Sequence, residues 1–168
     1  MRVLMIGHDY SMVAAHPTTG DTRERHLRYA DALRRRDPDG DITVIVRAPP
    51  SASKAPVLLS RALRVLPVPS LRWAFPLAAQ RLLHGVLDSG RFDLITTQTP
   101  FDDGLVGTRL NQKYGIPLNV QMRTSFLDMR WWISERPLLY RALNAVGKWV
   151  AKRADTIRVV SEGERHRL

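Results

Sequence analysis

The chain alternates short, nearly continuous apolar runs with longer stretches in which apolar residues recur every three or four positions. Met1-Arg-Val-Leu-Met-Ile6, closed by Gly7, and Ile42-Thr-Val-Ile-Val46 are of the first kind, the pattern of strands buried on both faces of a parallel sheet. Ala62 to Val68 predicts a third, weaker strand bounded by Pro67 and Pro69. Phe92 to Thr97, Pro117 to Met122 and Thr156 to Val160 predict three more. Between them lie helical periods. Asp21 caps a helix running to Arg36, with Glu24 reaching back and Leu27, Ala30 and Leu33 on its inner side. Arg34 to Arg36 close it where the helix dipole favours cations, and Asp37-Pro-Asp-Gly40 stops it. Phe75, Ala78, Ala79, Leu82, Leu83 and Val86 form an amphipathic stripe ended by Gly90. A further helix spans Gly104 to Tyr114 with Gly115 as its stop. Leu139, Ala142, Leu143, Val146, Trp149 and Val150 make the last stripe, and Arg141, Lys148 and Lys152 share another face of that helix. Strands separated by helices in this order predict an α/β fold, a doubly wound, mostly parallel sheet covered by helices on both faces.

Composition narrows the class. Of 168 residues 44% are hydrophobic and 25% charged, the profile of a globular chain that can bury a core, so disorder is not expected. The absence of cysteine excludes a disulfide framework and a thiolate metal site. The N-terminal run is too short for a signal-peptide core, and no stretch approaches the roughly 18 apolar residues of a membrane span. The expected location is cytoplasmic, or peripheral on the inner face of a membrane. A formal charge of +10 points to an anionic partner, although arginine-rich composition accounts for part of it.

In an open α/β sheet ligands bind beyond the C-terminal strand ends, which makes His8 to Tyr10, Arg47, Gln98 to Asp103, Arg123 to Phe126 and Ser161 to Gly163 the candidates. The loop His16-Pro-Thr-Thr-Gly-Asp-Thr22 enters a helix, where free N–H groups and the dipole favour phosphate. A capped surface helix explains the same residues. Gly7-His8-Asp9-Tyr10 is no dinucleotide-binding turn, and neither a P-loop lysine motif nor a nucleophile elbow occurs. His8, His16, His26, His84 and His166 have no metal-ligand spacing, so no metal is expected. Arg123 and Arg130 flank Phe126 and Trp131-Trp132-Ile133, a mixture that suits lipid headgroups; equally, the tryptophans belong to the core and the cations to a solvated face.

Met1 to Ile6, Gly20 to Leu33 followed by Asp41 to Val46, Phe92-Asp-Leu-Ile with Thr99-Pro100, Tyr114-Gly-Ile-Pro-Leu118, and Ala151-Lys-Arg-Ala-Asp155 leading to Val159-Val-Ser-Glu-Gly163 together resemble the N-terminal domain of family 4 retaining glycosyltransferases with the GT-B fold. The resemblance implies a Rossmann-like, three-layer acceptor-side domain over 1–168, with the donor-binding domain elsewhere. It implies sugar transfer from a nucleotide sugar to a glycan, lipid or small-molecule acceptor, with retention and with no metal or cofactor. The donor-phosphate loop falls on Thr19, Gly20 and Asp21, where the family usually has paired glycines. His8, Gln98, Arg123 and Thr124 are the acceptor-side candidates, Arg123 standing where the family often has a histidine. Arg141, Lys148 and Lys152 are candidates for an anionic membrane face. The capping box Ser161-Glu162-Gly163-Glu164, so near Leu168, suggests a cut through a larger protein. The competing reading is a stand-alone anion- or nucleic-acid-binding module without catalysis, nucleic acid being the first suspect, although no RNA-recognition or helix-turn-helix signature supports it.

Overall fold

The computed structural model describes residues 1–13, 22–88, 91–123 and 126–162. Seven strands form one sheet: β1 (Arg2–Gly7), β2 (Asp41–Ala48), β3 (Val57–Ser60), β4 (Leu63–Pro69), β5 (Leu94–Thr97), β6 (Leu118–Met122) and β7 (Thr156–Val159). Among the described residues five α-helices connect them: α1 (Thr22–Arg36), α2 (Phe75–Asp88), α3 (Asp102–Tyr114), α4 (Arg130–Glu135) and α5 (Pro137–Ala151). The sheet order is β3-β4-β2-β1-β5-β6-β7. Every pairing is parallel except the β3–β4 hairpin, which confirms the α/β, Rossmann-like class.

Alternate residues of the strands feed two cores, as the period of two requires. Leu4, Ile6, Ile45, Ile95, Leu118 and Val120 pack under α2, α3 and α5 through Phe75, Leu83, Val106 and Val150. Val3, Met5, Val44, Val46, Leu63 and Val65 pack on the opposite face, where Ala30, Leu27 and Leu33 of α1 meet them. These are the residues whose periodicity predicted both faces.

Three local expectations change. Glu24, expected to reach back to the helix start, pairs instead with Arg28 one turn on; Asp21 lies outside the described residues, as do Gly90 and the Gly163-Glu164 half of the closing capping box. The strand read as weak at Ala62 to Val68 is a buried inner strand, in register with β2 from Ile42↔Leu63 to Ala48↔Pro69. Its prolines are tolerated because β3 pairs with β4 only as far as Val65, so Pro67 and Pro69 lie along an edge that carries no second ladder. Finally, the basic and aromatic segment after β6 contains the short helix α4, separated from α5 by Arg136 and by Pro137 at its first turn. Gly115, the expected stop of α3, adopts φ 66°, a left-handed conformation that glycine reaches without strain, and its N–H caps the Asn111 carbonyl.

Candidate functional site

The strand order reverses between β1 and β5: β2, β4 and β3 extend to one side of β1, and β5, β6 and β7 to the other. A crevice opens at such a switch point beyond the C-terminal strand ends. Here it is a cleft of about 330 Å³ lined by His8 and Asp9 after β1, Gln98 and Phe101 after β5, and Arg123 and Phe126 after β6.

Each wall is held by a local device. Asp103, fully buried in the first turn of α3, accepts hydrogen bonds from the backbone N–H groups of Gln98 (2.9 Å) and Thr99 (2.8 Å) through one oxygen and bonds the Thr99 hydroxyl through the other. The Gln98–Phe101 loop is thereby clamped to the helix that follows it. Gly7 lets the Gln98 side chain lie over the end of β1; a Cβ there would sit 2.6 Å from the Gln98 amide carbon. Asp9 accepts hydrogen bonds from the Ser11 N–H (3.1 Å) and hydroxyl (2.5 Å), which hold the turn after β1. Phe101 and Phe126 form the apolar wall, backed by Trp132, which stacks on Tyr140 at 4.5 Å with an interplanar angle of 10°. Of the adjacent tryptophans, Trp132 is therefore core and Trp131 exposed, since neighbours on a helix point apart.

The electrostatics are organised around His8. Its Nε2 lies 2.9 Å from Asp102 Oδ1 and 3.8 Å from Asp103 Oδ1, and its ring leans on Phe75 at 5.2 Å. Burial alone would push the imidazole down, but the hydrogen bonds to Asp102 and Asp103 and their charges outweigh it and raise His8 to about 9. Burial would push Asp102 up, yet the His8 hydrogen bond and charge hold it below the usual carboxylate range. At neutral pH the pair is an imidazolium and a carboxylate. His26 behaves oppositely. Burial dominates and pulls it below the ordinary histidine value, helped by the charges of Arg25 and Arg123, so this fully buried ring is neutral, bonded at 2.7 Å through Nδ1 to the Thr22 carbonyl. His8, Asp102 and Asp103 offer ligand atoms within 4.8 Å of one another, close enough to surround a metal ion. In this arrangement Asp103 is already engaged by three donors.

Of the residues expected at the site, His8, Gln98 and Arg123 do line one cleft. Thr19, Gly20, Asp21 and Thr124 lie outside the described residues. Arg141, Lys148 and Lys152 are all exposed on or just beyond α5, and Lys148 is paired with Asp128 at 2.6 Å. The clamp by Asp103 and the His8–Asp102 pair went unread, because nothing in the chain tells that residues 8 and 102 become neighbours. The signal available was the Asp102-Asp103 pair opening a helix after a Thr-Pro turn, where carboxylates favour the dipole.

No curated protein sequence is significantly similar to this chain. Among solved structures, sucrose-phosphate synthase from Thermosynechococcus elongatus superposes with a TM-score of 0.69 at 14% identity, covering 98% of this chain and 43% of that one. A second structure of that enzyme, from a twinned crystal, gives a TM-score of 0.61 at 14% identity over 98% of this chain and 79% of that one. This chain thus spans less than half the length of the first structure, and at such identity the likeness establishes the fold, one half of a GT-B architecture. The profile of the glycosyl transferase 4-like domain matches residues 7–168, nearly the whole chain, and the protein belongs to that family.

Proposed function

We propose that this chain is the acceptor-side domain of a glycosyltransferase that moves a sugar from a nucleotide-sugar donor to an acceptor hydroxyl with retention of configuration. The observation that carries the reading is the cleft at the switch point of a glycosyl transferase 4-like domain, aromatic on one wall and charged on the other. The faces of Phe101 and Phe126 suit the C–H surface of a sugar ring, while Gln98 and Asp9 offer hydrogen-bonding groups to its hydroxyls. Departure of a nucleoside diphosphate from an oxocarbenium-like sugar builds negative charge, which preorganised cations stabilise more in the transition state than in the ground state. Arg123 and the His8 imidazolium are those cations. Held protonated to about pH 9, His8 is a donor rather than a base near neutral pH. Asp9, kept ionised by hydrogen bonds from Ser11 and Thr22 against the effect of its burial, accepts the hydrogen bond of the incoming hydroxyl.

In this reading the donor nucleotide is held by a second domain, consistent with the 43% of the sucrose-phosphate synthase chain that this fold covers. Cationic side chains carry the electrostatic work, and no metal is needed; chelation by EDTA should leave turnover unchanged, and a loss restored by added divalent ions would contradict it. Retention is tested by NMR of the product of the full-length gene product: the anomeric configuration of the donor should survive transfer, and an inverted product would refute the stereochemical assignment.

A second, subsidiary reading concerns location. No helix among the described residues is long and apolar enough to cross a membrane. At the α4–α5 corner, however, Leu138 is 88% exposed, Trp131 57% and Leu139 48%, beside Arg141. Exposed apolar side chains with a cation one helical turn away fit an anionic lipid surface. Sedimentation with vesicles containing phosphatidylserine should be lost in Leu138→Asp; sedimentation that persists in that variant would remove this corner as the contact.

A further inference from the structure

Gln98, the first residue past β5, carries a side-chain amide that the fold buries and leaves unmatched. Its backbone is fixed twice, since its N–H meets the Ile6 carbonyl at 3.2 Å and the Asp103 carboxylate at 2.9 Å. Its side chain lies across the bare Cα of Gly7 at the end of β1. A Cβ on Gly7 would sit 2.7 Å from the amide oxygen and 3.0 Å from the amide nitrogen. Only 9% of Gln98 is exposed, yet the residue lines the cleft, with His8 and Asp9 on one side and Phe101 and Phe126 on the other. Among the described residues its amide group makes no hydrogen bond.

That placement favours one kind of ligand group. Whichever way the amide is turned, its oxygen only accepts hydrogen bonds and its nitrogen only donates them. A neutral hydroxyl answers both, because it donates one hydrogen and accepts through its lone pairs. A carboxylate only accepts and an ammonium only donates, so each leaves half of the amide unmatched. A ligand with hydrogen in place of the hydroxyl leaves all of it unmatched. A nearly buried polar group is expensive to leave in that state, and sites of this kind discriminate strongly against an analogue that lacks the partner. The amide is also preset. With two backbone bonds holding the residue and Gly7 beneath its side chain, little ordering remains to be done when a ligand arrives. Charge enters the cleft elsewhere, from His8, Asp9 and Arg123, which leaves Gln98 as the neutral reader on its floor.

We propose that Gln98, seated on Gly7, is the specificity-determining residue of the cleft. It selects a sugar that presents a neutral hydroxyl to the floor between β1 and β5, and it rejects the deoxy, uronic-acid and amino-sugar counterparts at that position. That this sugar is the acceptor rests on the transferase reading; the selection itself does not.

The test is saturation-transfer NMR on this chain, with competition to rank affinities, using the methyl glycosides of glucose, galactose and mannose and then each monodeoxy form of the tightest binder. At least one glycoside should bind, and loss of one particular hydroxyl should weaken binding to the wild type by about tenfold or more. In Gln98→Leu, which offers no hydrogen bond, the parent sugar and that deoxy form should bind equally. In Gln98→Glu, an acceptor of nearly the same shape, the amino sugar at the same position should bind more tightly than the parent, reversing the wild-type order. Gly7→Ala, which displaces the amide without changing it, should also narrow the preference for the hydroxyl. Each readout is a ratio of two ligands on one variant, so it does not depend on how much of that variant is folded. No binding of any of these glycosides, or a Gln98→Leu variant that keeps the preference for the hydroxyl, overturns the proposal. Hydroxyl selection by a protein whose full-length gene product transfers no sugar would leave the role of Gln98 standing and remove the transferase reading. An active transferase whose acceptor preference is the same in Gln98→Leu would do the opposite.

Discussion

His8 and Asp103 do different work within one cluster, and their substitutions should separate. The unfolded imidazole titrates near 6.5 and the folded one at about 9, so the His8–Asp102 pair stabilises fully below about pH 6.5, and this contribution fades as pH rises through 9. His8→Gln should therefore lower stability by about 1–2 kcal/mol at pH 6, with the difference shrinking toward pH 10. Urea denaturation at the two pH values measures it; an equal gap at both would mean that the ion pair is not the source. His26 acts with the opposite sign, because its folded value lies below the unfolded one and stability is lost as pH falls below about 6.5. Asp103→Ala leaves two backbone N–H groups without their acceptor and should cost about 2–4 kcal/mol, since buried donors to a carboxylate are expensive to orphan. A loss below 0.5 kcal/mol on the order of a surface substitution would show that the loop holds itself. The positions of His8, Gln98 and Arg123 were legible because strand ends can be counted along the chain. Arg25, Tyr29 and Arg158, which line a second cleft with Arg123, were not, since what unites them is a register between β6, β7 and the face of α1 that no local pattern reveals.

Among the elements, α3 sits close against the sheet. Gly107 faces the sheet so closely that a Cβ would meet Thr97 Cγ2 at 2.7 Å and Leu118 Cδ1 at 2.9 Å. Gly107→Ala should overpack this contact and destabilise by about 1–3 kcal/mol despite the better helix propensity of alanine, measurable as a fall in the denaturant midpoint with an unchanged slope. A stabilised variant would mean that the helix can back away from the sheet. By contrast, Gly7→Ala meets only the flexible end of Gln98, so its effect should fall on ligand affinity more than on folding. The long amphipathic helices and the buried strands could be read from their periods. The β3 strand could not: Val57-Leu-Leu-Ser60 is short, lies at the sheet edge, and turns into β4 through Arg61 and Ala62, which carry none of the glycine or asparagine that marks a hairpin. α4 escaped for a similar reason, being six residues long with no room for a period.

For the molecule as a whole, the +10 charge admits several anionic partners, and the structure narrows how it is deployed. Part of it converges on one cleft at the C-terminal end of the sheet, where Arg25, Arg123 and Arg158 meet. A phosphate-backbone binder would instead spread its cations along an extended track, and its affinity would fall steeply with salt. Titration with single- and double-stranded DNA at rising salt should show only weak binding that vanishes by physiological ionic strength; tight binding there would restore the anion-binding module as the better account. The sugar-transfer reading makes its own demand. With UDP-, GDP- and ADP-sugars and an acceptor mixture, release of nucleoside diphosphate should be absent for residues 1–168 alone and present for the full-length gene product, and in the latter Arg123→Gln should lower kcat by about 100-fold, the scale of losing one preorganised charge from a transition state. Turnover by the 168-residue chain alone, or a full-length protein that releases no nucleoside diphosphate from any of the three donors, would contradict it.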